Sequence, residues 1–142
     1  MKHFVRKHSH LFILDRGEKL IETLTPALAK ADLAGGMISG LGALMDVELG
    51  YYELHEKEYI RKTFTDDYEL ISLNGNVAWK DSGPLIHVHA ALGDRQFAVF
   101  GGHLFEAKVA VTAEITVVPF DFAPERLYND AVGLATICGI KD

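Results

Sequence analysis

The chain is poor in cysteine: Cys138 is the only one in 142 residues. That excludes an internal disulfide and any thiolate-rich zinc site, so a metal held here must rest on histidine and carboxylate. No apolar run approaches the roughly 20 residues of a membrane span. The start, "MKHFVRKHSH", lacks the apolar centre of a secretory signal. The expectation is a cytoplasmic protein that does not touch a membrane. Positive charge is also short, 14 Lys and Arg against 20 Asp and Glu for a formal net charge of −6. Such a balance repels the phosphate backbone that supplies most non-specific nucleic-acid affinity. The one basic cluster, Arg6 to His8, is too short to reverse this. "GMISGLGAL" has neither the lysine of a phosphate loop nor a dinucleotide fingerprint. Tight packing of strand on helix is the role expected for its glycines. Ser39, Ser72 and Ser82 sit in no nucleophile-elbow pattern, and Cys138 has no activating base nearby.

What is present reads as one domain over residues 1–142, with the tail from about 120 the least defined. Val5 to Leu14 reads as a strand ending in "LFIL". Asp15 and Glu18 stand at capping-box spacing ahead of a helix. Along that helix Leu20, Leu24, Ala27, Leu28 and Ala31 share one face at helical period. Pro26 either bends it or leaves Thr25 to cap a second short helix, and Gly35 and Gly36 end it. From Met37 onward short alternating runs follow: "MDVELGYYEL", "YIRKTF", "YELISLNGNVAW", "PLIHVHAAL" and "AKVAVTAEITVV". Val47, Leu49 and Tyr51 form one buried face, as do Val109, Val111, Ala113, Ile115 and Val117. The connections are too short for crossover helices, which requires antiparallel pairing. The expected fold class is α+β: one main helix on a twisted, mostly antiparallel sheet of about six or seven strands. The tail is expected to wrap an edge or add a short strand.

The chemistry concentrates in "GPLIHVHAALGDRQFAVFGGHL", residues 83–104. Ile86, Val88, Ala90 and Leu92 must take the core side, so His87 and His89 share the opposite face. They lie roughly 6 to 7 Å apart along the strand, a spacing one metal ion can bridge. "GDRQ" turns the chain back, and register decides whether His103 arrives. A loop of two or four residues sets His87 opposite Gly102 and turns His103 away. A three-residue loop, or a bulge at Gly101 and Gly102, sets His103 opposite His87 on the same face. Three neutral imidazoles match an open zinc site with a fourth position free, although imidazole suits nickel, copper and iron too. The competing reading leaves His87 and His89 as solvent-side residues and gives His103 a carbonyl partner. Glu114 and Glu106 are candidates for an outer partner to an imidazole or for an acid/base, or else they are surface carboxylates. His8 and His10 also stand two apart, without a third ligand, and read as edge-strand decoration.

"YELISLNGNV", "PLIHVHAAL" and "GGHL" followed by "VTAEITVV", in this order, resemble the plants-and-prokaryotes-conserved (PPC) domain, a domain of unknown function. The resemblance runs from the "GEKLIETL" helix through "SGLGAL" to about Pro119. It implies an α+β homotrimer with the family's three histidines at His87, His89 and His103, a trio that in some prokaryotic members looks like a zinc site. Plant members carry the domain after AT-hook segments, where it serves oligomerisation and contact with transcription factors, the source of a DNA-binding label. This chain has no R-G-R-P core, so direct DNA binding by that route is not expected. The leading expectation is a trimeric, zinc-binding interaction or regulatory module with a protein partner. The alternative is a zinc-dependent hydrolase or lyase on a small polar substrate, with Glu114 or Glu106 as base.

Overall fold

The computed structural model describes residues 1–141. Its elements are β1 (Lys2–Arg6), β2 (Ser9–Asp15), α1 (Leu20–Lys30), β3 (Gly36–Glu53), β4 (Glu58–Phe64), β5 (Tyr68–Lys80), β6 (Gly83–Gly93), β7 (Val99–Pro119), β8 (Ala123–Asn129) and β9 (Leu134–Lys141). The class is α+β with a single helix, as expected, but the sheet has nine strands rather than six or seven. Two segments account for the difference. Val5 to Leu14 is not one strand, because Lys7 takes a left-handed conformation (φ 48°) and folds residues 2–15 into a hairpin. The tail after Pro119 forms a second hairpin, β8–β9, attached to β5 by one parallel bridge at Trp79 and Glu125. Every other strand pairing is antiparallel.

The four central strands close on themselves. β3 pairs with β5 and β7, and β6 pairs with the same two from the other side. Such a ring needs sharp coiling, and the long strands supply it through register shifts. In β3 these fall between Gly40 and Gly42, between Gly42 and Leu44 and again between Met45 and Leu49, and in β5 between Leu70 and Ser72. Bulges bend a strand and raise its twist. Gly42 sits at such a bend with φ +150°, and a Cβ there would run into the carbonyl of Thr112. The glycines of "GMISGLGAL" therefore serve strand-on-strand approach, not strand-on-helix packing.

Helix α1 packs on β6 and β7. Leu20, Leu24 and Leu28 are fully buried in one core cluster that also holds Phe12, Leu14, Val88, Leu92 and Ile115, with Ala27 and Ala31 partly buried at its margin. Each such leucine contributes about 2 kcal/mol through its burial. The helix runs unbroken through Pro26, with Thr25 Oγ1 donating back to the Ile21 carbonyl at 2.8 Å rather than capping a second helix. Its start also differs from the capping-box expectation. Glu18 accepts the Asp15 N–H at 2.8 Å, yet the chain turns at Gly17 and the helix begins only at Leu20. Asp15 and Glu18 instead hold the Met1 ammonium at 2.8 and 3.0 Å. The helix ends at Asp32 (φ 56°), where Asp32 N–H bonds Ala29 O and Leu33 N–H bonds Leu28 O. That is a Schellman stop, so Gly35 and Gly36 lie beyond the end. Of the residues expected on the two buried strand faces, Val47, Leu49, Val109, Ala113, Ile115 and Val117 are buried, whereas Tyr51 and Val111 are exposed. No helix among the described residues is long and apolar enough to cross a membrane.

Candidate metal centre

In β6, Val88, Ala90 and Leu92 enter the core and His87 and His89 face the other way. β6 and β7 pair with His89 opposite His103, Ala90 opposite Gly102 and Gly93 opposite Val99. The loop is thus Asp94 to Ala98, an odd number of residues, and this parity brings His103 to the histidine face without a bulge. Asp94 organises it: its Oδ1 accepts the N–H of Gln96 at 2.8 Å and of Ala98 at 2.9 Å. The cross-strand partner of His103 is His89, not His87. The glycine pair allows close backbone approach instead of bulging, since a Cβ on Gly101 would strike the carbonyl of Ala90.

The three rings form a near-equilateral triangle. Centroids lie 5.4 Å apart for His87 and His89, 5.2 Å for His87 and His103, and 5.6 Å for His89 and His103. One nitrogen from each falls within 4.8 Å of the others. His87 and His103 are half-buried and His89 is exposed. Burial, reinforced by Arg126 and His89, pushes the imidazole of His87 down to about 4. Burial and the two neighbouring histidines do the same for His103, also to about 4. Both are therefore neutral at pH 7 and carry the lone pairs that a metal needs. Nδ1 of His103 is buried with no hydrogen-bond partner, which contradicts the carbonyl-bonded alternative and suits a donor awaiting a cation. In donor type and spacing the trio fits a divalent transition metal.

Around the triangle stands an aromatic wall. Tyr59 of β4 lies 5.1 Å from His103 and Phe105 lies 4.7 Å from it, edge to face. Gly50, opposite His103 on β3, makes room for them, because a Cβ there would come within 2.8 Å of the Tyr59 ring. Arg61 covers the outer face of Phe105 at 3.6 Å. Burial raises the Tyr59 phenol above its usual value.

Arg126, on β8, was not among the residues expected here. The β8–β9 ladder shifts register between Glu125 and Arg126, and such a shift re-aims side chains. Arg126 Nη2 reaches His87 Nδ1 at 2.8 Å and Asn76 Oδ1 at 3.1 Å, while Nη1 bonds Ala135 O at 3.0 Å. The hairpin is anchored over the site by Tyr52 OH to Val132 O at 2.5 Å, Lys57 Nζ to Asp130 O at 2.6 Å and Lys141 over the Trp79 ring at 3.6 Å. A faint signal existed: Pro124 and Arg126 alternate inward while Leu127 points out.

The two candidate carboxylates are elsewhere. Glu106 accepts the N–H of Ile21 at 2.8 Å and of Glu22 at 3.0 Å, capping α1 from the sheet. Glu114 lies eleven residues beyond His103, roughly 36 Å along β7, in an outer groove with Leu11, Leu41 and Ile71. Neither joins the histidines. His10 pairs with His3 at 3.0 Å across the first hairpin, apart from the trio.

A family model, the Plants and Prokaryotes Conserved (PCC) domain, matches residues 1–121. The chain belongs to that family. Among solved structures, a metal-containing protein of Archaeoglobus fulgidus is 34% identical over 97% of each chain, with a TM-score of 0.86. A plant- and prokaryote-conserved protein of Pyrococcus horikoshii is 33% identical over 99% of this chain and 96% of its own, also at 0.86. A Bacteroides thetaiotaomicron structure, 22% identical over 94% of each chain at 0.90, shares the fold. None of the curated proteins matches. The PCC match stops at residue 121, so Arg126 reaches the trio from the hairpin beyond it.

Proposed function

We propose that this PCC-domain chain is a metal-binding module in which His87, His89 and His103 hold one zinc ion, assembled as a homotrimer that serves interaction or regulation. The observation that carries the reading is the convergence of the three imidazole nitrogens within 4.8 Å. It is supported by the 34% identity to an archaeal protein described as metal-containing. Zinc favours three such ligands with a fourth position open. When bound it would supply Lewis acidity at that position, and the chain's own contribution is to hold the His87 and His103 rings neutral and to wall the site with Tyr59 and Phe105.

Support for self-assembly is an apolar outer face. Leu41 and Ile71 line one groove with Leu11, and Val111 and Phe97 line the next, all exposed. Apolar surface of this kind marks association.

A hydrolase or lyase needs a base, and neither Glu106 nor Glu114 is placed to be one. Direct DNA binding has the net charge of −6 against it. Elemental analysis of the purified protein tests the metal reading: one zinc per chain is expected, with loss in His87→Ala and His103→Ala. Unchanged stoichiometry in both variants would refute it.

A further inference from the structure

Among the described residues Arg126 is the one charged or polar side chain that is buried, at 8% exposure. All three of its partners are neutral: Ala135 O, Asn76 Oδ1 and His87 Nδ1. No carboxylate among the described residues pairs with it. Its Nε is buried without any partner, so part of the donor fork stands idle. Buried charges are normally paired or they shift to neutrality, and a guanidinium does not deprotonate in a protein. The missing counter-charge is thus a feature of the chain as folded.

Arg126 lines a cavity of about 490 Å³ together with His87, His103 and Tyr59. Lys80 lines it as well, but Lys80 faces Asp81 at 3.7 Å. One unbalanced positive charge therefore stands in its wall. Most of the remaining wall is apolar, formed by Leu85, Ile86, Leu104, Phe105 and Leu134. A pocket of this size suits a small organic ligand, and a few polar groups on an apolar wall fix its orientation. A single guanidinium on such a wall matches a monoanion, and planar carboxylate is the shape its fork recognises.

We propose that this cavity binds a small organic monocarboxylate, its charged end on Arg126 and its apolar body against Leu85, Ile86, Leu104 and Leu134. The site stands beside the metal reading and does not depend on it, since every group it uses is present without an ion.

The test is isothermal titration calorimetry of the full chain with phenylacetate, phenylacetamide and inorganic phosphate, on zinc-loaded and on EDTA-treated protein. Phenylacetate should bind at one per chain in both preparations, at least tenfold tighter than phenylacetamide and tighter than phosphate. Arg126→Met should weaken phenylacetate at least tenfold while leaving phenylacetamide within threefold. Equal affinity for the acid and the amide would overturn the proposal even if the variant fails to fold. So would tighter binding of phosphate, retention of phenylacetate by Arg126→Met, or no heat with phenylacetate. Phenylacetate binding in a chain that takes up no zinc would remove the metal reading and leave this one standing. Zinc uptake without phenylacetate binding would do the reverse.

Discussion

Arg126 Nη2 lies 2.8 Å from Nδ1 of His87, and a guanidinium has no lone pair to accept with. His87 Nδ1 is therefore the acceptor, and the proton of its neutral ring sits on Nε2. A cation arriving at Nδ1 must displace Arg126, and one arriving at Nε2 must move the ring proton to Nδ1 and so break that hydrogen bond, because the guanidinium cannot accept. In both cases Arg126 and the metal compete for one imidazole. A charge-assisted hydrogen bond is worth about 1.5 to 3 kcal/mol, and about 1.4 kcal/mol is tenfold in affinity. Arg126→Met should bind zinc about tenfold more tightly at pH 7, read by competition with a chromophoric chelator. Weaker or unchanged binding would show that Arg126 does not oppose the ion.

The depressed imidazoles carry a stability signature. His87 and His103 are pushed from 6.5 to about 4 in the folded chain, so below 6.5 the unfolded state takes up protons that the folded state refuses. Stability then rises with pH wherever the unfolded state binds more protons. For EDTA-treated protein the denaturation midpoint should be level above pH 6.5 and fall steadily between about 6.5 and 4. A His103→Asn variant should show a shallower fall over that window. A midpoint insensitive to pH there would mean that the rings are not desolvated as described.

Glu106 should behave as a helix cap. Its oxygens take the N–H groups of Ile21 and Glu22 at the start of α1, a service usually worth about 0.5 to 2 kcal/mol. Glu106→Ala should lose about that much stability by chemical denaturation, with zinc content per chain unchanged. Loss of zinc in a still-folded Glu106→Ala would return this carboxylate to the metal centre.

Assembly has its own readout. Leu41 and Ile71 are 55% and 53% exposed on the outer groove, where a homotrimer would cover them. Light scattering after gel filtration should give three times the chain mass of 15.7 kDa. Ile71→Lys should lower it, because an unpaired ammonium buried in an interface is costly. A protein that runs at one chain mass before any substitution would contradict the trimer.

Most of the helix and half of the site could be read from the sequence, because both follow a period. Leu20, Leu24 and Leu28 repeat as a helix face does, and His87 and His89 alternate against Val88 and Ala90 as a strand requires. The pairing of His103 was narrower, since it turned on the parity of one loop, and Asp94 settles that parity through local hydrogen bonds no period records. What escaped is long-range. Glu106 meets α1 across 85 residues of chain, and Arg126 meets His87 across 39. The closure of β3, β5, β6 and β7 into a ring depends on bulges, and a bulge leaves at most a glycine as its trace, none at Leu70 to Ser72 or Met45 to Leu49. Capping-box spacing at Asp15 and Glu18 misled because the chain turns at Gly17 (φ 87°) and the helix starts only at Leu20.

The proposed zinc ion has a direct readout. Crystals grown with zinc and measured on both sides of the zinc absorption edge test it directly. A single anomalous peak per chain is expected inside the His87, His89 and His103 triangle, about 2.0 to 2.1 Å from one nitrogen of each ring. A peak elsewhere, or an empty triangle with Arg126 still on His87, would contradict it.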